Sequence, residues 1–112
     1  MNTQITILGE TLDINFNMAV ELAFEGISGE PFSLESLKFQ KNSIALDYAV
    51  ISTFNKDSKI TIERLCEEAT AKELAELSSA VASAMFAWLD IPLVAQNDEP
   101  AEEQPAQPEK NA

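Results

Sequence analysis

The run Ile5-Thr6-Ile7-Leu8-Gly9-Glu10-Thr11-Leu12-Asp13-Ile14-Asn15-Phe16-Asn17-Met18 decides the fold. Ile5 and Ile7 alternate with polar residues before Gly9-Glu10, and Leu12, Ile14 and Phe16 alternate after it. A period of two puts these side chains on one face of a strand pair. Gly9 takes without strain the positive φ that a tight turn demands. The pattern predicts a β-hairpin over residues 3 to 16. Two strands alone are marginal in water, so the apolar face must rest on helices supplied by the rest of the chain.

Working outward, Asn17 is a good helix N-cap, since its side chain accepts from a free backbone N–H. Val20, Ala23, Phe24 and Ile27 then recur at i, i+3, i+4 and i+7, a helical core stripe. Gly29 suits the C-cap and Pro31 blocks continuation. Ser33 is a cap for a short helix carrying Leu34, Leu37 and Phe39. After the polar break Gln40-Lys41-Asn42, either Asn42 or Ser43 caps a helix that runs to about Phe54. That helix is apolar nearly all round, with Asp47 and Ser52 as its main polar interruptions, which marks a central, buried element. Residues 55–59 form a turn, and Thr61 opens a shorter helix with Ile62, Leu65 and Cys66. Thr70 and Glu73 read as a capping box for the last helix, over 71–89. Along it Leu74, Leu77, Val81, Met85 and Trp88 form a narrow seam, and Pro92 stops it.

The residues therefore define an α+β, mostly helical protein. An N-terminal hairpin packs on a bundle of about four to five helices in one domain, 1–95, followed by a disordered, acidic, Pro/Glu/Gln-rich tail, 96–112. With 112 residues, 46% of them hydrophobic, the chain has material for one core and no more. Nineteen acids face seven bases, giving a net charge of −12 without any histidine. The tail holds five of the acids and one base, so most of the negative charge lies on the folded part. Such a surface disfavours nucleic-acid phosphate and anionic lipid, both bound through Lys and Arg displacing counterions. It suits a basic partner, and it equally suits plain solubility. Met1-Asn2-Thr3-Gln4 has neither a basic region nor an apolar run, so the expected compartment is the cytosol. No apolar stretch approaches the ~20 residues of a membrane span.

Chemistry has few footholds. Cys66 is the single cysteine, it has no histidine to activate it, and its place beside Ile62 and Leu65 predicts a buried structural thiol. Glu63 and Glu67 share a helix face, as the acids of an ordinary solvated surface do. Zinc would want histidine or a cysteine pair, and residues 55–59 lack a calcium loop's glycine and closing glutamate in register. Gly26 and Gly29 lack the lysine of a phosphate cradle. No enzyme activity, metal or cofactor is expected, which leaves surface for a partner. Phe86 lies about 120° round the last helix from its seam, near Ala75, Ser79, Ala82 and Ser83, small residues that let another helix approach. The competing assignment has the hairpin or another helix of this chain covering that face. Leu89, Ile91 and Leu93 at the helix exit pose the same choice. These four, Phe86, Leu89, Ile91 and Leu93, are the candidate partner-binding residues.

The opening run resembles the start of phage tail assembly chaperones, in which a short hairpin around a glycine leads straight into a helix. The helix closes with Leu22-Ala23-Phe24-Glu25-Gly26-Ile27-Ser28-Gly29-Glu30-Pro31, similar to that family's glutamate, apolar residue and serine-or-threonine-glycine exit. The apolar helix over 43–54, the last helix ending near Trp88 and the length fit as well, so the resemblance covers residues 3 to 92. Gly26 directly after Glu25 departs from the family pattern and would shorten the first helix. The resemblance implies a non-enzymatic chaperone that coats the long helical tape measure protein of long-tailed phages, helps recruit tube subunits and is absent from the finished virion. It also implies a longer product made by frameshifting near the gene's end, and it supplies no residue-level binding map. The rival readings are a structural particle subunit (a connector or tail-completion protein), an acidic protein-binding module of another role, such as an inhibitor mimicking DNA, and self-association of the chain.

Overall fold

A computed structural model describes residues 3–90. The elements run β1 (Thr3–Ile7), β2 (Glu10–Ile14), α1 (Met18–Ser28), a single 3-10 turn (Ser36–Lys38), α2 (Gln40–Phe54), α3 (Ile62–Glu68) and α4 (Ala71–Leu89). The domain's expected end at residue 95, Pro92 as helix stop and the tail over 96–112 lie outside the described residues.

The strands pair antiparallel with Ile5 opposite Leu12 and Ile7 opposite Glu10. Ile7, Leu12, Ile14 and Phe16 are buried, as alternation requires. The outer face is closed by polar cross-strand pairs, Gln4 Nε2 donating to Asp13 Oδ1 at 2.7 Å and Thr6 Oγ1 lying 3.3 Å from Thr11 Oγ1. Leu8 and Gly9 both have positive φ, 50° and 82°, the requirement of a type I′ turn. Leucine in this region is strained. Its N–H donates to Glu73 Oε2 at 3.1 Å, which holds the turn against α4.

Two further side chains fasten the hairpin to the helices. The Asn55 amide accepts from the Asp13 N–H at 2.8 Å and donates to the Asp13 carbonyl at 2.9 Å, pairing with β2 as another strand would. The Glu10 carboxylate accepts from Ser58 Oγ at 2.7 Å and from the Lys59 N–H at 3.1 Å. An otherwise marginal hairpin is thus tied to α4, to the end of α2 and to the loop beyond it.

Asn17 caps α1 through the Ala19 and Val20 N–H groups, and Gly29 closes it in the left-handed region at φ 74°. The helix continues through Gly26 to Ser28, so the expected shortening does not occur. Val20 and Phe24 are buried against the core, and Phe32 packs its ring between Phe16 and Phe24, at centroid distances of 6.0 and 5.8 Å. Ile27, expected in the core stripe, is 37% exposed. It instead borders an open cavity with Ile44, Ile62 and Cys66.

The connection from α1 to α2 holds one 3-10 turn where a short helix was expected. Ser33 Oγ does accept from the Ser36 N–H, and Leu37 packs on the core, but Leu34 and Phe39 stay exposed. α2 also starts earlier than either predicted cap allows. The Phe39 carbonyl accepts from both the Asn42 and Ser43 N–H groups, which begins the helix at Gln40. Asn42 is buried inside the first turn, its amide donating to Glu30 Oε1 and to the Ser36 carbonyl, so its side chain brackets the preceding loop and caps nothing.

α2 is the central element. Ala45, Leu46, Ala49, Val50 and Ile51 are buried, and the helix packs on α1, α3, α4 and β2. α3 is capped by Thr61, and α4 by the reciprocal bonds of Thr70 and Glu73. Leu77, Val81 and Met85 of the α4 seam are buried and Leu74 is partly so. Trp88, the seam's last member, is 44% exposed.

Candidate partner-binding surface

The structure divides the candidates drawn from sequence. Phe86 and Leu89 are half-buried and pack against the core. Ile91 and Leu93 lie outside the described residues. Ala75, Ser79 and Ser83 line one side of a cleft whose other side is Thr3, Gln4 and Ile5 of β1, so the hairpin occupies the neighbourhood of this α4 face.

Apolar surface is offered elsewhere, on α1. Val20 and Phe24 face the core, and at 100° per residue Met18 and Leu22 fall on the opposite side of the helix, one turn apart. They are 51% and 62% exposed. Trp88, also exposed, reaches α1 from α4, its Nε1–H donating to Glu21 Oε2 at 3.1 Å. Glu21 lies about 60° round the helix from Met18 and about 100° from Leu22, so the hydrogen bond ties the indole to the flank of α1. Burying a leucine or methionine fully is worth roughly 1.5–3 kcal/mol, which folding of this chain leaves largely unrealised at Met18 and Leu22. The helical angle of Met18 and Leu22 relative to Val20 and Phe24 was the available signal in the sequence. The exposure of Trp88 had none, because its position continues the seam.

The charged groups show which acids are already engaged. Hydrogen bonds from Ser58 and from the Lys59 backbone hold the Glu10 carboxyl below its ordinary range. Lys41 and Asn42 do the same for Glu30, and the Thr70 and Leu8 backbone N–H groups for Glu73. All three fasten loops. Asp47 is the opposite case. It is 4% exposed, and burial pushes its carboxyl up to about 6 against the lowering effect of a 2.7 Å hydrogen bond from Ser78 Oγ.

Cys66 corrects a prediction: the thiol is exposed. α3 has seven residues, and Leu65 takes its core-facing position. Cys66, 100° further round, falls at the rim of the cavity of about 490 Å³ that Ile27, Ile44 and Ile62 border. Glu63 and Glu67 stand exposed on the same helix, while neighbouring Arg64 pairs with Glu68 at 3.1 Å. Among the described residues no three or more Cys, Asp or Glu side chains converge as metal ligands, and no helix is long and apolar enough to cross a membrane.

The arrangement is thus a small helical body with a latched hairpin, exposed apolar side chains on α1, a Trp88 bonded to that helix, and, among the described residues, one buried carboxylate. Comparison with known proteins finds no matching family model, no matching curated protein and no matching solved structure.

Proposed function

We propose that this chain is a non-enzymatic tail assembly chaperone of a long-tailed phage or prophage, acting in the host bacterial cytoplasm. Its client is a helical tape measure protein, which it keeps soluble until the tail is built. The observation that carries the reading is the exposure of Met18 and Leu22 on α1, and of Trp88 bonded to it, in a chain with net charge −12. An amphipathic client helix has a stripe at i, i+3, i+4 and i+7 that such a face accepts. The surrounding negative charge speeds capture of a basic client and keeps the complex dispersed. The hairpin leading directly into a capped helix that exits at Ser28-Gly29 supports the family resemblance. No histidine is present to activate Cys66 or any hydroxyl, which favours binding over bond-making chemistry.

Co-expression with the tape measure protein of the same phage tests this. The client is expected to move from the pellet to the soluble fraction and to co-elute with the chain. A client equally insoluble with and without it contradicts the reading. Purified particles are expected to lack the chain, whereas a connector or completion subunit would be retained in them.

A further inference from the structure

Asp47 presents a problem that the fold does not solve. Ser78 Oγ donates to its Oδ2 at 2.7 Å, and no other donor among the described residues reaches the carboxylate. The ion pairs among the described residues join Lys38 to Glu35, Lys41 to Glu30 and Arg64 to Glu68, so none involves it. A buried carboxylate with one hydroxyl donor and no cation carries a desolvation cost that a bracket between two helices does not need, since an asparagine would accept the same bond.

The surroundings suggest what offsets that cost. Ser43 and Asp47 are one turn apart on α2, and Ser78 faces them from α4. These three residues line two half-open cavities that meet along the α2–α4 groove. One, about 210 Å³, is bounded further by Gln40, Ile44 and Leu74. The other, about 250 Å³, has walls of Leu37, Leu46, Val81 and Met85. No residue lining either cavity except Asp47 is ionisable. A polar floor between apolar walls matches a long side chain with a methylene stem and a charged tip.

We propose that this groove is a receptor for one cationic side chain, an arginine or lysine, of a partner protein. Charge complementarity selects the occupant. A guanidinium or ammonium brought to Asp47 is the charge the site lacks, in surroundings of low dielectric where the pairing is strong. The two serine hydroxyls flank the tip, and the apolar walls take the stem. The raised proton affinity of the carboxyl is the signature of the same uncompensated burial. The proposal deepens the protein-binding reading above and rests on it, but it does not depend on the client being a tape measure protein.

Side-chain analogues test it directly. ¹⁵N-labelled full-length protein is titrated at pH 7.5 with n-butylguanidinium and, separately, with the neutral isostere n-butylurea, each to about 50 mM, a range suited to the millimolar affinity of so small a ligand. The guanidinium is expected to shift the resonances of Ser43, Asp47 and Ser78 with saturation, and to bind about tenfold more tightly than the urea or better. Asp47→Asn is expected to abolish the difference, and Ser78→Ala, which leaves the carboxylate in place, to keep it. Equal effects of the two compounds, shifts spread over the acidic surface and unchanged in Asp47→Asn, or no shifts at all would overturn the proposal. The contrast between the two compounds on wild-type protein stands whether or not a variant folds. Success here with failure of tape measure co-expression would retain the groove and discard the chaperone assignment.

Discussion

The outer face of α1 and the α2–α4 groove break opposite rules of folding. On α1, large apolar side chains stand in water, Leu22 at 62% exposure. In the groove a carboxylate is buried, Asp47 at 4%. Asp47 leaves the isolated chain less stable than an asparagine would, and the α1 face leaves apolar burial unrealised. Side-chain caps open α1, α3 and α4, alternation matches the pleat, and every latch of the hairpin is hydrogen-bonded. Sequences tend to be internally consistent except where something other than stability is selected. The comparison teaches that both departures would be relieved by the same kind of partner, one with an apolar helical stripe and a basic residue.

The comparison is sharpened first by a core residue, which should behave unlike either region. Phe24→Ala removes a ring that meets Phe32 edge-on at 5.8 Å and is fully buried. It is expected to destabilise by about 3–5 kcal/mol in urea unfolding. Asp47→Asn should go the other way. The folded carboxyl sits near 6 against an ordinary 3.8. A raised carboxyl binds its proton more tightly in the folded state, so its contribution to stability is fully favourable below about pH 4, declines as pH rises through 6, and is then flat. Relative to wild type, Asp47→Asn is therefore expected to gain about 1–3 kcal/mol at pH 8 and close to nothing near pH 4. A destabilised variant at pH 8 would show that the carboxylate serves the fold, and the contrast between the regions would collapse.

Next in size is Asn55→Ala. It leaves the Asp13 N–H and carbonyl without their side-chain partner and is expected to cost about 1–3 kcal/mol. Faster hydrogen exchange confined to β2 would identify the lost bracket. The smallest change in stability is expected from Leu22→Ser, within about 0.5 kcal/mol, because the side chain is mostly exposed. The same substitution should weaken client binding several-fold in a pull-down. Unchanged binding would remove α1 from the account.

Much of this fold was legible because the decisive signals are local. The hairpin, the Asn17, Thr61 and Thr70 caps, the Gly29 exit and the span of the last helix each follow from residues a few positions apart. What escaped depends on distant partners. Glu73 serves its own capping box, as Thr70 predicts, but also the Leu8 N–H, 65 residues away. Asn55 looks like an ordinary turn residue until β2 arrives beside it, 42 positions distant. Asn42 passes for a cap because the loop that consumes its amide is not visible in the helical pattern. Ile27 and Cys66 have core-like spacing, but both border an open cavity and stay exposed. The candidate surface was read least well. Periodicity placed Trp88 in the seam, whereas the helix ends where the seam runs out of cover. Asp47 was visible only as a polar interruption in an apolar helix, and Ser78 opposite it, 31 residues on, is what tertiary packing adds.

The central claim is that the stability forgone at α1 and at Asp47 is recovered in a complex. Combining Met18→Ser, Leu22→Ser and Asp47→Asn in one chain and co-expressing it with the client addresses that claim most directly. The predicted result is a variant at least as stable as wild type that leaves the client in the pellet. A variant that solubilises the client as well as wild type does would contradict it.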